Sequence, residues 1–227
     1  MAINKENFLS IRKELDDRQV ALVAVSKTKS AEDIQHLYDL GHRDFGENYV
    51  QELVDKSTNL PADIRWHFIG HLQTNKVKYI APFVYLIHGV ESFKLLQEIN
   101  KQAAKNNRVI DALLQVHIAE EETKFGLDEQ ELKELINNEA SSLMKNVRIV
   151  GLMGMASFST DKNQVRAEFR KLKNIFNTLQ LPARGSELFI SNSLVPILSM
   201  GMSGDYKIAI EEGSTMARIG SLLFGAR

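Results

Sequence analysis

The chain has 227 residues, of which 44% are hydrophobic, 25% charged and 7% aromatic; this is the composition of an ordinary globular protein and excludes disorder and a fibrous architecture. It contains no cysteine, so a disulfide framework, a cysteine-ligated metal and a thiol nucleophile are all excluded. The 28 Lys+Arg against 29 Asp+Glu leave a formal net charge of -1, without the positive field of a nucleic-acid binder, and nucleic acid is not an expected partner.

The first segment, MAINKENFLSIRKELDDRQ, is charged from Lys5 onward and has no continuous apolar core, so it predicts a helix over residues 4–17 and not a signal peptide. Val20 to Val25, the longest kind of apolar run here, falls far short of the roughly 20 residues that cross a bilayer. A cytoplasmic protein without a membrane span is expected. Short apolar runs predict strands at Ala21 to Val25, Arg43 to Phe45, Ile64 to Ile69, Val84 to His88, Ala112 to Ile118, Arg148 to Met153, Glu187 to Ile190 and Met216 to Ile219.

Between the strands lie segments of helical period. Ser30 followed by Asp33 has the position of a capping box, although the box proper takes Glu or Gln. Glu91 to Lys105 puts Phe93, Leu96, Ile99 and Ala103 on one stripe, and Gln164 to Leu179 does the same with Val165, Phe169, Leu172 and Phe176. No proline- or glycine-rich linker marks a boundary, which predicts one domain over residues 1–227. Eight strands, each followed by a helix or helical turn, fit an α/β fold of the (β/α)8 TIM barrel type with an extra N-terminal helix. An open doubly wound sheet shares the alternation, but no glycine fingerprint follows the first strand.

In either fold the chemistry belongs at the C-terminal ends of the strands. The first strand ends in Ser26-Lys27, and a partly desolvated amine there suits Schiff-base chemistry; a solvated charge closing a strand is the plainer reading. Ser191-Asn192-Ser193 after the seventh predicted strand and Gly220-Ser221 after the eighth occupy the usual phosphate cradle of such barrels, though each taken singly is also an ordinary turn. Arg218, inside the last apolar strand, either pairs with a carboxylate or points at a ligand. His67 and His71 flank an apolar stretch without HExxH or cysteine, so they read as a satisfied inward residue and a loop hydrogen-bonder, and no metal is expected. Leu152-Met153-Gly154-Met155 reads as core.

The strings VAVSKTK (23–29), FGENYVQE (45–52), WHFIGHLQTNK (66–76), GLMGMA (151–156), LSMGMSGDYKIAI (198–210) and GSTMARIGSLLFGAR (213–227) resemble the pyridoxal phosphate homeostasis protein family, whose members have an alanine-racemase-like barrel of fold-type III. The resemblance runs from the first strand to the C-terminus. Only the first helix and the segments around residues 100–146 lack a recognisable signature.

This resemblance implies pyridoxal 5'-phosphate (PLP) as cofactor. Lys27 matches the lysine that forms the Schiff base with PLP, and Arg218 matches the arginine at the pyridine nitrogen, where a cation keeps that nitrogen unprotonated and weakens the electron sink. Gly220 and Ser221 match the backbone donors to the phosphate, with Ser193 adding a hydroxyl; Asn48, Ser203 and Thr215 complete the candidate set. Ser30 departs from the proline that many relatives carry there, a helix-start change away from the Schiff base. Racemases of this fold add a second, β-rich domain and a dimer partner that supplies a tyrosine, whereas the barrel takes up these 227 residues. The implied protein is a monomeric PLP carrier that takes part in intracellular vitamin B6 and amino-acid homeostasis, meets apo PLP-enzymes transiently and has no turnover of its own. A single-domain PLP-dependent racemase or lyase is the alternative, and a sugar-phosphate barrel enzyme using Lys27 on its substrate is a third class.

Overall fold

A computed structural model describes residues 3–120, 125–179 and 196–225. Eight parallel strands close into a barrel in chain order: β1 (Ala21–Val25), β2 (Asp44–Glu47), β3 (Arg65–Phe68), β4 (Leu86–Val90), β5 (Ile110–Gln115), β6 (Val147–Met153), β7 (Ile197–Ser199) and β8 (Met216–Ile219). The last strand pairs with the first, Val23 opposite Arg218, so the two ends of the sheet meet. Helices α1 (Lys5–Asp16), α2 (Ala31–Asp39), α3 (Val50–Asn59), α4 (Val77–Ile80), α5 (Phe93–Lys105), α6 (Glu129–Asn137), α7 (Glu139–Ser142), α8 (Lys162–Thr178), α9 (Tyr206–Glu211) and α10 (Ser221–Phe224) alternate with them.

The helices start where local chemistry satisfies their free N–H groups. Ser30 and Asp33 do form a reciprocal capping box: the Ser30 hydroxyl accepts from Asp33 N–H at 3.1 Å and the Asp33 carboxylate from Ser30 N–H at 3.3 Å. Ser92 and Asp161 cap α5 and α8 by accepting from first-turn N–H groups, without the reciprocal bond. α1 is tied to the other end of the chain by Asn4 N–H on the Leu223 carbonyl, 3.1 Å.

Alternation along each strand splits the core in two. Ala24, Phe45, Phe68 and Leu114 belong to the layer between strands and helices, while Val23, Leu86, Leu113, Val150, Met153 and Met216 fill the lumen. Gly151 is required where β6 meets β7, because a Cβ there would collide with the Ile197 carbonyl. Gly151→Ala should destabilise the protein at or above the upper end of the ~1–3 kcal/mol typical of overpacking, read as a lowered denaturant midpoint; an unchanged midpoint would show that β7 shifts without cost.

The first and last predicted strands match their bounds, and the others, the seventh excepted, hold with shifted bounds. β2 continues to Glu47, a residue type depleted in strands, because that carboxylate is buried against Lys56 and Ser26. β4 continues through Gly89, where a Cβ would come within 2.8 Å of the Gly70 carbonyl. β5 stops at Gln115 although the apolar run continues, and Val116 instead bridges to Leu127. The seventh strand needs correction: the strand between β6 and β8 is Ile197–Ser199, whereas the predicted Glu187 to Ile190 lies outside the described residues. The segment that follows β7 is therefore 200–205, and not Ser191-Asn192-Ser193.

Candidate functional site

A cavity of about 730 Å³ opens at the C-terminal end of the barrel, within the range of small-molecule and cofactor sites. Lys27, Asn48, Ser203, Arg218, Gly220 and Ser221 all line it. Closure of the sheet accounts for this convergence, since Lys27 leaves β1 and Gly220-Ser221 leave β8, its hydrogen-bonded neighbour.

Lys27 is half-buried, directly after fully buried Ser26. The next residue, Thr28, has φ +65°, a left-handed conformation that costs a β-branched residue energy. A buried network holds it there. Thr28 N–H donates to Glu52 Oε1 at 2.6 Å; Lys56 Nζ donates to Glu52 Oε1, to Glu47 Oε1 (both 2.7 Å) and to the Ser26 carbonyl (2.8 Å); and the Ser26 hydroxyl donates to Glu47 Oε1 at 2.6 Å. The backbone on both sides of Lys27 is thus clamped to α3. Burial pushes the Glu47 carboxyl above its ordinary range, partly offset by the Lys56 charge and the hydrogen bonds from Lys56 and Ser26. Sequence reasoning missed this network; the string FGENYVQE contains both acids, but nothing local pairs Glu47 with Lys56.

Arg218 is 4% exposed and forms part of the cavity floor. Its guanidinium donates from Nη1 to Ser199 Oγ (2.6 Å) and from Nη2 to the Gly154 carbonyl (3.1 Å). Burial pushes its pKa down to about 10, so it remains a cation at neutral pH. Just beyond it, Gly220 N–H donates to Ser203 Oγ at 3.2 Å, which binds the segment after β7 to the turn after β8. A Cβ at Gly220 would press on Val25, 3.2 Å from its carbonyl oxygen, so the close approach of the two strand ends requires glycine. Ser221 opens α10, and first-turn N–H groups have no acceptor within their own helix. Asn48 follows β2, and its side-chain oxygen is buried without a hydrogen-bond partner among the described residues.

One candidate among the described residues is not brought to this cavity. Thr215 is corrected: it precedes β8, at the other end of the barrel, and its hydroxyl accepts from Leu198 N–H at 2.8 Å. Ser193 lies outside the described residues. The histidines behave as the sequence suggested: His67 is fully buried and hydrogen-bonded on both nitrogens, and His71 pairs at the rim with Glu91 at 2.7 Å. Met153 is core, while Met155 lines the cavity.

Residues 4–227 match the family described as alanine racemase, N-terminal domain. The pyridoxal phosphate homeostasis protein of Aquifex aeolicus is 44% identical over 91% of this chain and 86% of its own. The chain belongs to the pyridoxal phosphate homeostasis protein family. The human protein of that name is 37% identical over 95% of this chain and 79% of its own. Among solved structures, PipY of Synechococcus elongatus with PLP bound is similar at a TM-score of 0.83 and 34% identity, covering 97% of this chain and 99% of that one. Alanine racemase from Bartonella henselae, with a TM-score of 0.68 at 17% identity over 59% of its own length, shares the fold alone.

Proposed function

We propose that the protein binds PLP in the cavity at the C-terminal end of the barrel and serves PLP and amino-acid homeostasis by holding the cofactor and supplying it to apo-enzymes. The observation that carries this reading is the meeting, in one cavity, of a lysine, a buried guanidinium and a Gly-Ser turn with a hydroxyl beside it, in a family whose relatives bear the name of that role. The residues fit the group. The buried Asn48 oxygen without a partner suits a donor such as a ring hydroxyl, and the Ser203 hydroxyl and Ser221 N–H, with Gly220 N–H if the phosphate displaces Ser203 from it, suit a phosphate; Ser193 is proposed to add its hydroxyl. Bound PLP supplies an aldehyde for covalent capture by an amine and a ring that can draw electrons from an amino acid's α-carbon.

In this reading Lys27 provides the amine, held in place by the clamp on Ser26 and Thr28. Arg218 faces the ring nitrogen and, as a donor-only cation, opposes its protonation. That weakens the electron sink on which racemisation and lyase chemistry depend, and supports a carrier over an enzyme. We place residues 1–227 in one PLP-binding domain, and the protein in the cytoplasm as a monomer whose contacts with acceptor enzymes are transient. Among the described residues no helix is long and apolar enough to cross a membrane.

Two measurements test the reading. Pyridoxal without its phosphate should bind at least about tenfold more weakly than PLP, because charge-assisted hydrogen bonds contribute roughly 1.5–3 kcal/mol each; equal affinity would remove the phosphate from the Gly220-Ser221 turn. PLP-loaded protein should reactivate an apo-enzyme yet exchange the α-proton of common amino acids in deuterated water no faster than free PLP. Turnover of any natural amino acid at about 1 per second or more would replace the carrier by a racemase or lyase.

A further inference from the structure

The lumen of a parallel barrel is ordinarily packed with branched aliphatic side chains. Here a row of polar groups crosses it: Asp44 from β2, His67 from β3, His88 from β4, Ser199 from β7 and Arg218 from β8. His67, His88 and Ser199 have no solvent exposure. Successive contacts are Asp44 Oδ1 to His67 Nε2 at 3.0 Å, His67 Nδ1 to His88 Nε2 at 3.0 Å, His88 Nδ1 to Ser199 Oγ at 3.2 Å and Ser199 Oγ to Arg218 Nη1 at 2.6 Å. We propose that His67, His88 and Ser199 are positioning residues, a one-way hydrogen-bond chain anchored at Asp44 that fixes the Arg218 guanidinium for the ring nitrogen of the cofactor. This rests on the reading that the cavity holds PLP.

The direction of the chain follows from donor inventory. The Asp44 carboxylate can only accept and the guanidinium can only donate; with both imidazoles neutral, each has one donor and one acceptor nitrogen, so the chain runs one way and the Ser199 hydroxyl, accepting from Arg218, gives its proton to His88 Nδ1. His88 then carries its own proton on Nε2 and donates it to His67 Nδ1. His67 in turn carries its proton on Nε2 and donates to the Asp44 carboxylate. With neutral imidazoles, reversing the Asp44–His67 or the His67–His88 link would set two donors or two acceptors against each other, a cost of about 1–3 kcal/mol. Both ends are anchored. Burial alone would push Asp44 up, but hydrogen bonds from Arg65 and His67 outweigh it and hold the carboxyl well below its usual range. Burial, with His67 and the Arg218 cation nearby, keeps His88 neutral by pushing it well below the ordinary histidine value. Ser199 and the Gly154 carbonyl together engage two of the guanidinium nitrogens, so the group cannot swing without breaking the row.

The test begins on PLP-free protein, full chain, labelled with 15N in histidine and arginine. At pH 7 the imidazoles of His67 and His88 should both be neutral with the proton on Nε2, and the Nη protons of Arg218 should be resolved by slow rotation. Either imidazole charged, or protonated on Nδ1, overturns the chain without any variant. Ser199→Ala removes one hydroxyl from a fully buried position with little change in shape. It should give His88 a mixture of tautomers, shift the signals of His67 one link further away, and merge the Arg218 Nη signals. Unchanged His67 and Arg218 signals in Ser199→Ala would overturn the proposal. The same variant should bind PLP about tenfold more weakly, the loss of one hydrogen bond to a charged group, and wild-type affinity would separate the chain from cofactor binding. If the wild-type protein fails to bind PLP, the cofactor assignment falls and with it the role at the ring nitrogen, while the tautomer data still decide whether the chain exists.

Discussion

Lys27→Ala is expected to abolish the visible absorption band of PLP-loaded protein and the mass increment left after borohydride reduction, whereas Lys29→Ala should keep both. The two lysines are close in sequence but differ in their surroundings. Lys27 lines the cavity, on backbone that Glu52 and Lys56 hold from either side. Lys29 also reaches the cavity wall, but its Nζ donates to the Phe224 carbonyl at 3.1 Å, which ties it to the C-terminal helix. An amine committed as a protonated donor to a carbonyl is a poor nucleophile, because attack on an aldehyde requires the neutral lone pair. Loss of the band in both variants, or its survival in Lys27→Ala, would remove Lys27 from the proposed role.

Lys56→Met should be the most destabilising change near the site. The ammonium is 8% exposed and compensates Glu47, whose side chain is 0% exposed. Removing one member of a buried pair leaves an uncompensated charge, at a cost of about 3–5 kcal/mol. For a chain of this size each kcal/mol corresponds to roughly 2–4 °C in Tm, so a fall of roughly 6–20 °C is expected at neutral pH.

The loss should also depend on pH in a definite direction. Burial raises the Glu47 pKa in the folded state, and removal of Lys56 raises it further. The folded protein then holds the Glu47 proton more tightly than the unfolded chain does. That contribution to stability is fully present below the ordinary glutamate value of about 4.3 and is lost as pH rises through the folded value. Lys56→Met should accordingly lie close to wild type in mildly acidic buffer and fall away toward pH 8. Adding Glu47→Gln should recover much of the loss. Thermal unfolding across pH 5–8 decides the matter: a deficit of constant size would assign Lys56 a packing role instead of a neutralising one.

Much of the barrel was legible because its signals are local. Apolar runs of strand length, capped amphipathic segments between them and the absence of a dinucleotide fingerprint led to eight strands and a C-terminal-end site without any long-range knowledge. Lys27 and Arg218 are legible as cations, one closing an apolar strand and the other inside one, and the family resemblance supplies the roles proposed for them. The Gly220-Ser221 turn was legible as a turn, and barrel closure placed it beside Lys27. Ser203, a candidate through the resemblance, is bound to Gly220. Thr215, another, faces the other end, since a strand only four residues long separates the two rims. The seventh strand was misplaced because Ile197–Ser199 is too short to carry a periodic signal, with proline immediately before it.

The amino-acid sequence by itself determined the alternation of elements, because that depends on spacings of a few residues, and the family resemblance of its motifs pointed to the closed barrel and to Lys27 and Arg218. Tertiary structure alone decided which buried charges and donors meet. Glu47 is neutralised from the next helix by Lys56, nine residues away, and His88 is completed by Ser199, 111 residues away. Such pairs have no periodic signature. The second exists because closing the sheet brings β4 and β7 around one lumen, and the first because α3 packs back over the strand that precedes it.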